Sequence, residues 1–97
     1  MAEVTYSDEA FTDFERIIEF LLETSPEAAA QALDGIRSAT GILEAHPFIG
    51  RRVDDQIREL VISRAATGYL ALYPFDPAFD VVRILRIRHQ REAGYQE

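Results

Sequence analysis

The chain has no cysteine, no tryptophan and no lysine, and each absence closes off a class of explanation. Without cysteine there is neither a disulfide framework nor a thiolate to act as nucleophile or metal ligand. The two histidines, His46 and His89, lie far apart and approach no metal-ligand spacing, so neither metal nor cofactor is expected. No apolar run reaches the roughly 20 residues that span a bilayer. The start, Met1-Ala2-Glu3-Val4, lacks the basic-then-apolar order of a signal peptide. The expectation is a cytoplasmic protein without membrane association. Glycine and proline are sparse, at 5 and 4 residues, and leave no linker or low-complexity tract. A chain of 97 residues then makes one domain, 1–97.

Positive charge is also scarce in the first half. Residues 1–45 hold ten acids and two arginines, a charge of −8, whereas residues 46–97 hold eight arginines and seven acids, a charge of +1. The net −7 argues against direct, specific DNA binding, because affinity for phosphates comes from cations that displace counterions. Since all ten basic residues are arginine, planar bidentate contacts to carboxylate or phosphate are favoured over a mobile ammonium. Arg16, Arg37 and Arg58 read as partners of nearby acids on a solvated face, and Arg51 as a loop pin paired with a helix end or an acid.

Along the chain, Glu3–Tyr6 is a short β-prone start, and Ser7 precedes Asp8 and Glu9 as a helix cap. Phe11, Phe14, Ile17, Ile18, Leu21 and Leu22 recur at three and four, which predicts one apolar stripe. Glu9, Asp13, Glu15, Arg16, Glu19 and Glu23 fall on the opposite, solvated side. Ser25-Pro26 caps and opens a second helix, and the short turn makes the pair an antiparallel hairpin. Its small residues Ala29, Ala32 and Ala39 allow close approach, with Gly35 and Gly41 as places where another backbone comes near. His46-Pro47 ends it, and a loop through Val53 follows. Ile57–Arg64 and Tyr69–Phe75 read as strands, the second interrupted at Pro74. Tyr69 and Tyr73 share a face suited to packing. Val81–Leu85 is apolar on both faces except at Arg83, the pattern of a central strand, and it emerges at Arg86 and Arg88. The order β-α-α-β-β-β, with a helical hairpin over a three-stranded antiparallel meander, predicts a two-layer α+β domain.

These elements, together with Ser25-Pro26-Glu27-Ala28-Ala29, His46-Pro47-Phe48-Ile49-Gly50-Arg51, Ile57-Arg58-Glu59-Leu60, Gly68-Tyr69 with Tyr73, and Ile84-Leu85-Arg86-Ile87-Arg88-His89 followed by Arg91, resemble the RelE/ParE superfamily of type II toxin-antitoxin toxins. The resemblance implies a toxin neutralised in a hetero-oligomer by a cognate antitoxin, a small DNA-binding dimer with an extended C-terminal segment. It also implies one of two activities. RelE-like members are ribosome-dependent mRNA endonucleases, for which Arg91, Tyr95 and His89 are the catalytic candidates here, although His89 reads first as a strand-end histidine bonded to backbone. ParE-like members, the plasmid-stabilisation kind, poison DNA gyrase. Leu60, Ile62 and Leu70 stand where the nucleases carry basic residues, and an aliphatic side chain can neither move a proton nor stabilise developing charge. The ParE-like branch is therefore the leading expectation. A degenerate domain that only binds its antitoxin is a third reading. Two helices shield only part of such a sheet, so Leu60, Ile62, Leu70 and Leu72 are expected to line an apolar groove for target or antitoxin. Arg86 and Arg88 are expected to meet acids of the bound segment there.

Overall fold

The structure, a computed structural model, describes residues 1–62 and 68–89. Strand β1 (Glu3–Tyr6) leads into helix α1 (Asp8–Thr24), and Ser25 alone separates it from helix α2 (Pro26–Ala45). The Ser7 hydroxyl accepts from Ala10 N at 3.0 Å and donates to Leu85 O at 2.7 Å, so it caps α1 and ties that cap to the last strand. Ser25 closes one helix with its N–H and opens the next with its hydroxyl, to which Ala28 N donates. Replacing Ser7 with alanine should cost about 1 kcal/mol, which for a domain of this size lowers the melting temperature by about 4–8 °C. A thermal melt unchanged by the substitution would rule out the cap as a stabilising element.

Beyond α2 the chain forms β2 (Arg51–Arg52), β3 (Arg58–Val61), β4 (Tyr69–Tyr73), β5 (Phe75–Asp76), β6 (Val81–Ile84) and β7 (Arg86–His89). The expected antiparallel meander is present, and β2 is a short strand within the stretch read as loop. Hydrogen bonding gives two strand orders, β2-β3-β4-β7 and β1-β6-β5, joined because β4 continues into β5 past Pro74 and β6 into β7 past Leu85. Strand β6 is central, parallel to β1 and antiparallel to β5, but only its Val82 and Ile84 face is covered, Val81 being half-buried and Arg83 exposed on the other.

The core lies between the hairpin and one sheet face. Ala29, Ala32, Ile36, Ala39 and Leu43 of α2 are buried, as are Tyr69, Ala71, Tyr73, Val82, Ile84 and Ile87 of the sheet. Gly35 is where α2 meets the sheet, since a Cβ there would touch Ile62 Cγ2 at 3.4 Å. Gly41, by contrast, has open space around it. The loop after α2 is fastened from below: Gly50 N donates to the buried Tyr73 hydroxyl at 2.8 Å, and Arg58 donates to Phe48 O and Gly50 O. Arg58 therefore serves backbone carbonyls and the Phe48 ring instead of an acid. Arg51 pairs with Glu59 at 2.7 Å as expected, Arg16 approaches Asp13, and Arg37 forms no ion pair among the described residues.

Candidate functional site

A one-residue shift of register in the last strand decides which side chains reach the surface. Phe75 faces Val82, a register that if continued would set Leu72 against Leu85. Strands β4 and β7 instead pair Leu72 with Arg86, while Leu85 N still donates to Leu72 O at 2.8 Å. Two residues thus oppose one, which is a β-bulge. Its effect is to reverse the alternation. Val82 and Ile84 are buried before it and Ile87 after it, so Arg86 is turned out beside Leu72 and away from the core.

The bulge also brings the Ile87 N–H to Asp13 of α1, which accepts it at 3.0 Å. The same carboxylate receives Arg86 through Nε at 2.8 Å and Nη2 at 3.1 Å, and Arg16 lies 3.5 Å away. Asp13 is only 1% exposed. Burial pushes its carboxyl up, but the Arg86 hydrogen bonds, the Ile87 N–H and the charges of Arg86 and Arg16 outweigh that and hold it below the usual carboxylate range. The solvated acidic face expected of α1 therefore excludes Asp13. Its spacing was the available signal: it stands three residues after Ala10 and four before Ile17, the other two buried positions of the helix.

Cross-strand pairing sorts the remaining candidates. Leu70 lies between Val61 and Arg88, and Leu72 between Glu59 and Arg86, which builds a half-buried outer face away from the helices. Leu60 pairs with Ala71 and, with Ile62, packs against the core on the helix side. The single groove expected of Leu60, Ile62, Leu70 and Leu72 is therefore not formed, because strand alternation divides them between two faces. Arg86 is held by Asp13 and Arg88 is buried, so both are built into the fold at the rim of that outer face. The backbone of His89 ends β7 opposite Tyr69. Arg91 and Tyr95 lie outside the described residues.

The outer face combines aliphatic surface, to which Val61 contributes at 51% exposure, with the Arg51–Glu59 pair and the Arg86 rim. Such a face can bury apolar groups and order carboxylates, but Val61, Leu70 and Leu72 can carry no proton. Among the described residues no three histidine, aspartate or glutamate side chains gather where they could hold a metal ion.

Comparison with known proteins agrees with this geometry. The family model described as the ParE toxin of type II toxin-antitoxin systems, parDE, matches residues 4–94. Toxin RelE3 of Caulobacter vibrioides is 38% identical over 92 residues, covering 95% of this chain and 98% of that protein. Among solved structures, the chromosomal ParDE toxin-antitoxin system from P. aeruginosa superposes with a TM-score of 0.71 at 22% identity, over 92% of this chain and 96% of that one. The RelBE2 toxin-antitoxin complex of Mycobacterium tuberculosis gives 0.62 at 23% identity, over 91% and 96%. The intact E. coli RelBE complex gives 0.63 at 12% identity, over 91% and 95%. At these identities the structural matches establish the shared fold.

Proposed function

Given that this chain belongs to the ParE toxin family of type II toxin-antitoxin systems, we propose that it arrests growth in the cytoplasm by binding a protein target, DNA gyrase foremost, and is neutralised by a cognate antitoxin in a hetero-oligomer. The observation that carries this reading is the outer face, where Val61, Leu70 and Leu72 present aliphatic groups at its centre and, among the described residues, the Glu59 carboxylate is paired with Arg51 and Arg86 with Asp13. Cleavage of RNA through the ribose 2′-oxygen needs a base, a cation and an acid around one phosphate. A protein partner needs apolar surface with a polar rim, which this face supplies. The antitoxin, a small DNA-binding dimer in this reading, would lay an extended segment over Leu70 and Leu72 with its acids toward the Arg86 rim.

Induction of the chain in bacteria tests the reading. Filamentation with a DNA-damage response is the expected phenotype, and rapid, codon-positioned mRNA cuts with a halt of translation would overturn it. The nuclease alternative rests on Arg91, Tyr95 and His89 alone. In the binding mode, Arg91→Ala and Tyr95→Ala should weaken toxicity while leaving stability within about 0.5 kcal/mol. A melting temperature that falls in step with toxicity would make these residues structural instead.

A further inference from the structure

At the end of the sheet away from β7, the β5–β6 turn and the β2–β3 loop enclose a cleft of about 880 Å³. Phe48, Phe75, Phe79, Val81, Arg52 and Arg83 line it. Two features of its wall are unmet among the described residues. The first is Phe79, 78% exposed although its turn is well fastened. The Asp76 carboxylate accepts from Ala78 N and Phe79 N, and Asp80 adopts a left-handed conformation with φ 57°. The second is Arg83, which points outward from β6 two residues beyond Val81 and so on the same strand face. It makes no ion pair among the described residues.

The other charges of the cleft already have partners. Arg58 donates to Phe48 O and Gly50 O. Asp54 accepts from Gln56 N and Ile57 N, which hold its carboxyl below the usual range. Arg52 approaches Asp55 at 3.9 Å. What the cleft lacks is an apolar group for Phe79 and Val81 and one acceptor for Arg83. A nucleic-acid backbone would bring a phosphate at every step past the carboxylates of Asp54, Asp55 and Asp76, where like charge opposes it. A peptide brings a single carboxylate to a chosen place.

Resting on the reading of this chain as a toxin that acts by binding a protein, we infer that this cleft docks a linear segment of the target in which an aromatic or branched aliphatic residue stands next to an aspartate or glutamate. The apolar side chain lies against Phe79 and Val81, and the carboxylate meets Arg83. Rigid aromatic anchors beside an arginine are the usual centre of such contacts.

Two measurements on the full chain test the inference. An array of hexapeptides pairing one aromatic residue with one or two aspartates, probed with the purified protein, should retain it. Replacing the aspartates by lysine, or using the Arg83→Glu or Phe79→Ala protein, should cut retention about tenfold or more. Equal retention on aspartate and lysine peptides, or none on either, overturns the inference. In cells, the same two variants should lose growth arrest while keeping affinity for the antitoxin within about threefold and melting as the wild type does. Loss of antitoxin affinity would make the cleft part of the antitoxin's footprint, and full arrest by both variants in cells where the wild type causes filamentation would refute this inference alone. If the wild type instead halts translation, the underlying reading fails, and the peptide array still decides whether the cleft takes acidic peptides. Binding of single-stranded RNA that Arg83→Glu abolishes would likewise overturn the peptide assignment.

Discussion

Replacing Asp13 with alanine should remove about 3–5 kcal/mol of stability, a large share of the total for a small domain, and lower the melting temperature by on the order of 20 °C. The carboxylate satisfies the Ile87 N–H and the Arg86 guanidinium at once. Alanine would leave the buried Ile87 N–H without its acceptor, with its desolvation uncompensated, and would take from the 29% exposed Arg86 side chain the carboxylate that holds it. Asparagine should cost less, because its carbonyl oxygen still accepts one donor. A thermal melt of Asp13→Ala within 1 kcal/mol of wild type, on the order of experimental error plus relaxation, would show that the contact is incidental.

The same residue sets an acid limb. Its folded-state pKa lies below the ordinary 3.8, so its contribution is complete above the unfolded pKa and disappears as pH falls through the lower folded value. Wild-type stability should therefore drop below about pH 4, and Asp13→Asn should flatten that part of the curve. An unchanged acid limb in the variant would assign the drop to other carboxylates.

The second large effect is expected at Tyr73, fully buried with its hydroxyl under Gly50. Tyr73→Ala should cost about 3–5 kcal/mol through the cavity it leaves. Tyr73→Phe, which takes away only the acceptor of the Gly50 N–H, should cost about 1 kcal/mol. Gly50 is fixed from the other side: a Cβ there would stand 2.5 Å from the Tyr73 hydroxyl and 2.9 Å from Glu59 O. Gly50→Ala should thus cost about 1–3 kcal/mol by overpacking, and less in a Tyr73→Phe background, where the shortest of three clashes is gone and those with Glu59 O and the ring Cε1, each at 2.9 Å, remain. Strict additivity in denaturant melts of the double variant would refute direct contact as the cause.

Much of the fold is legible in the sequence because the signals are local. Ser7 and Ser25 cap where an N-terminal helix position needs an oxygen, Pro74 interrupts pairing where a donor is missing, and Val82 and Ile84 are apolar because their face of the central strand is buried. The candidate site is less legible because its features depend on pairing between distant segments. The division of Leu60 from Leu70 follows from which residue of β4 each strand faces, and no local pattern reports a register. Asp13 stands in a helix so rich in acids that its spacing, not its charge, separates it from the solvated ones. Its partner lies 73 positions away.

The bulge at Leu85 makes the end of the chain sensitive to counting as much as to chemistry. Pairing this segment without the bulge would restore plain alternation, which would send Arg86 inward where Ile87 now packs and bring Ile87 to the solvent side, whereas loss of one residue between Ile84 and Ile87 would remove the bulge and keep Ile87 inward. Substitutions that preserve size can accumulate in this segment, but one added residue would reverse the faces beyond it and cannot be absorbed locally. Insertions should therefore be confined to the turn on either side, and this stretch serves as a ruler between the end of β6 and whatever the chain presents beyond His89.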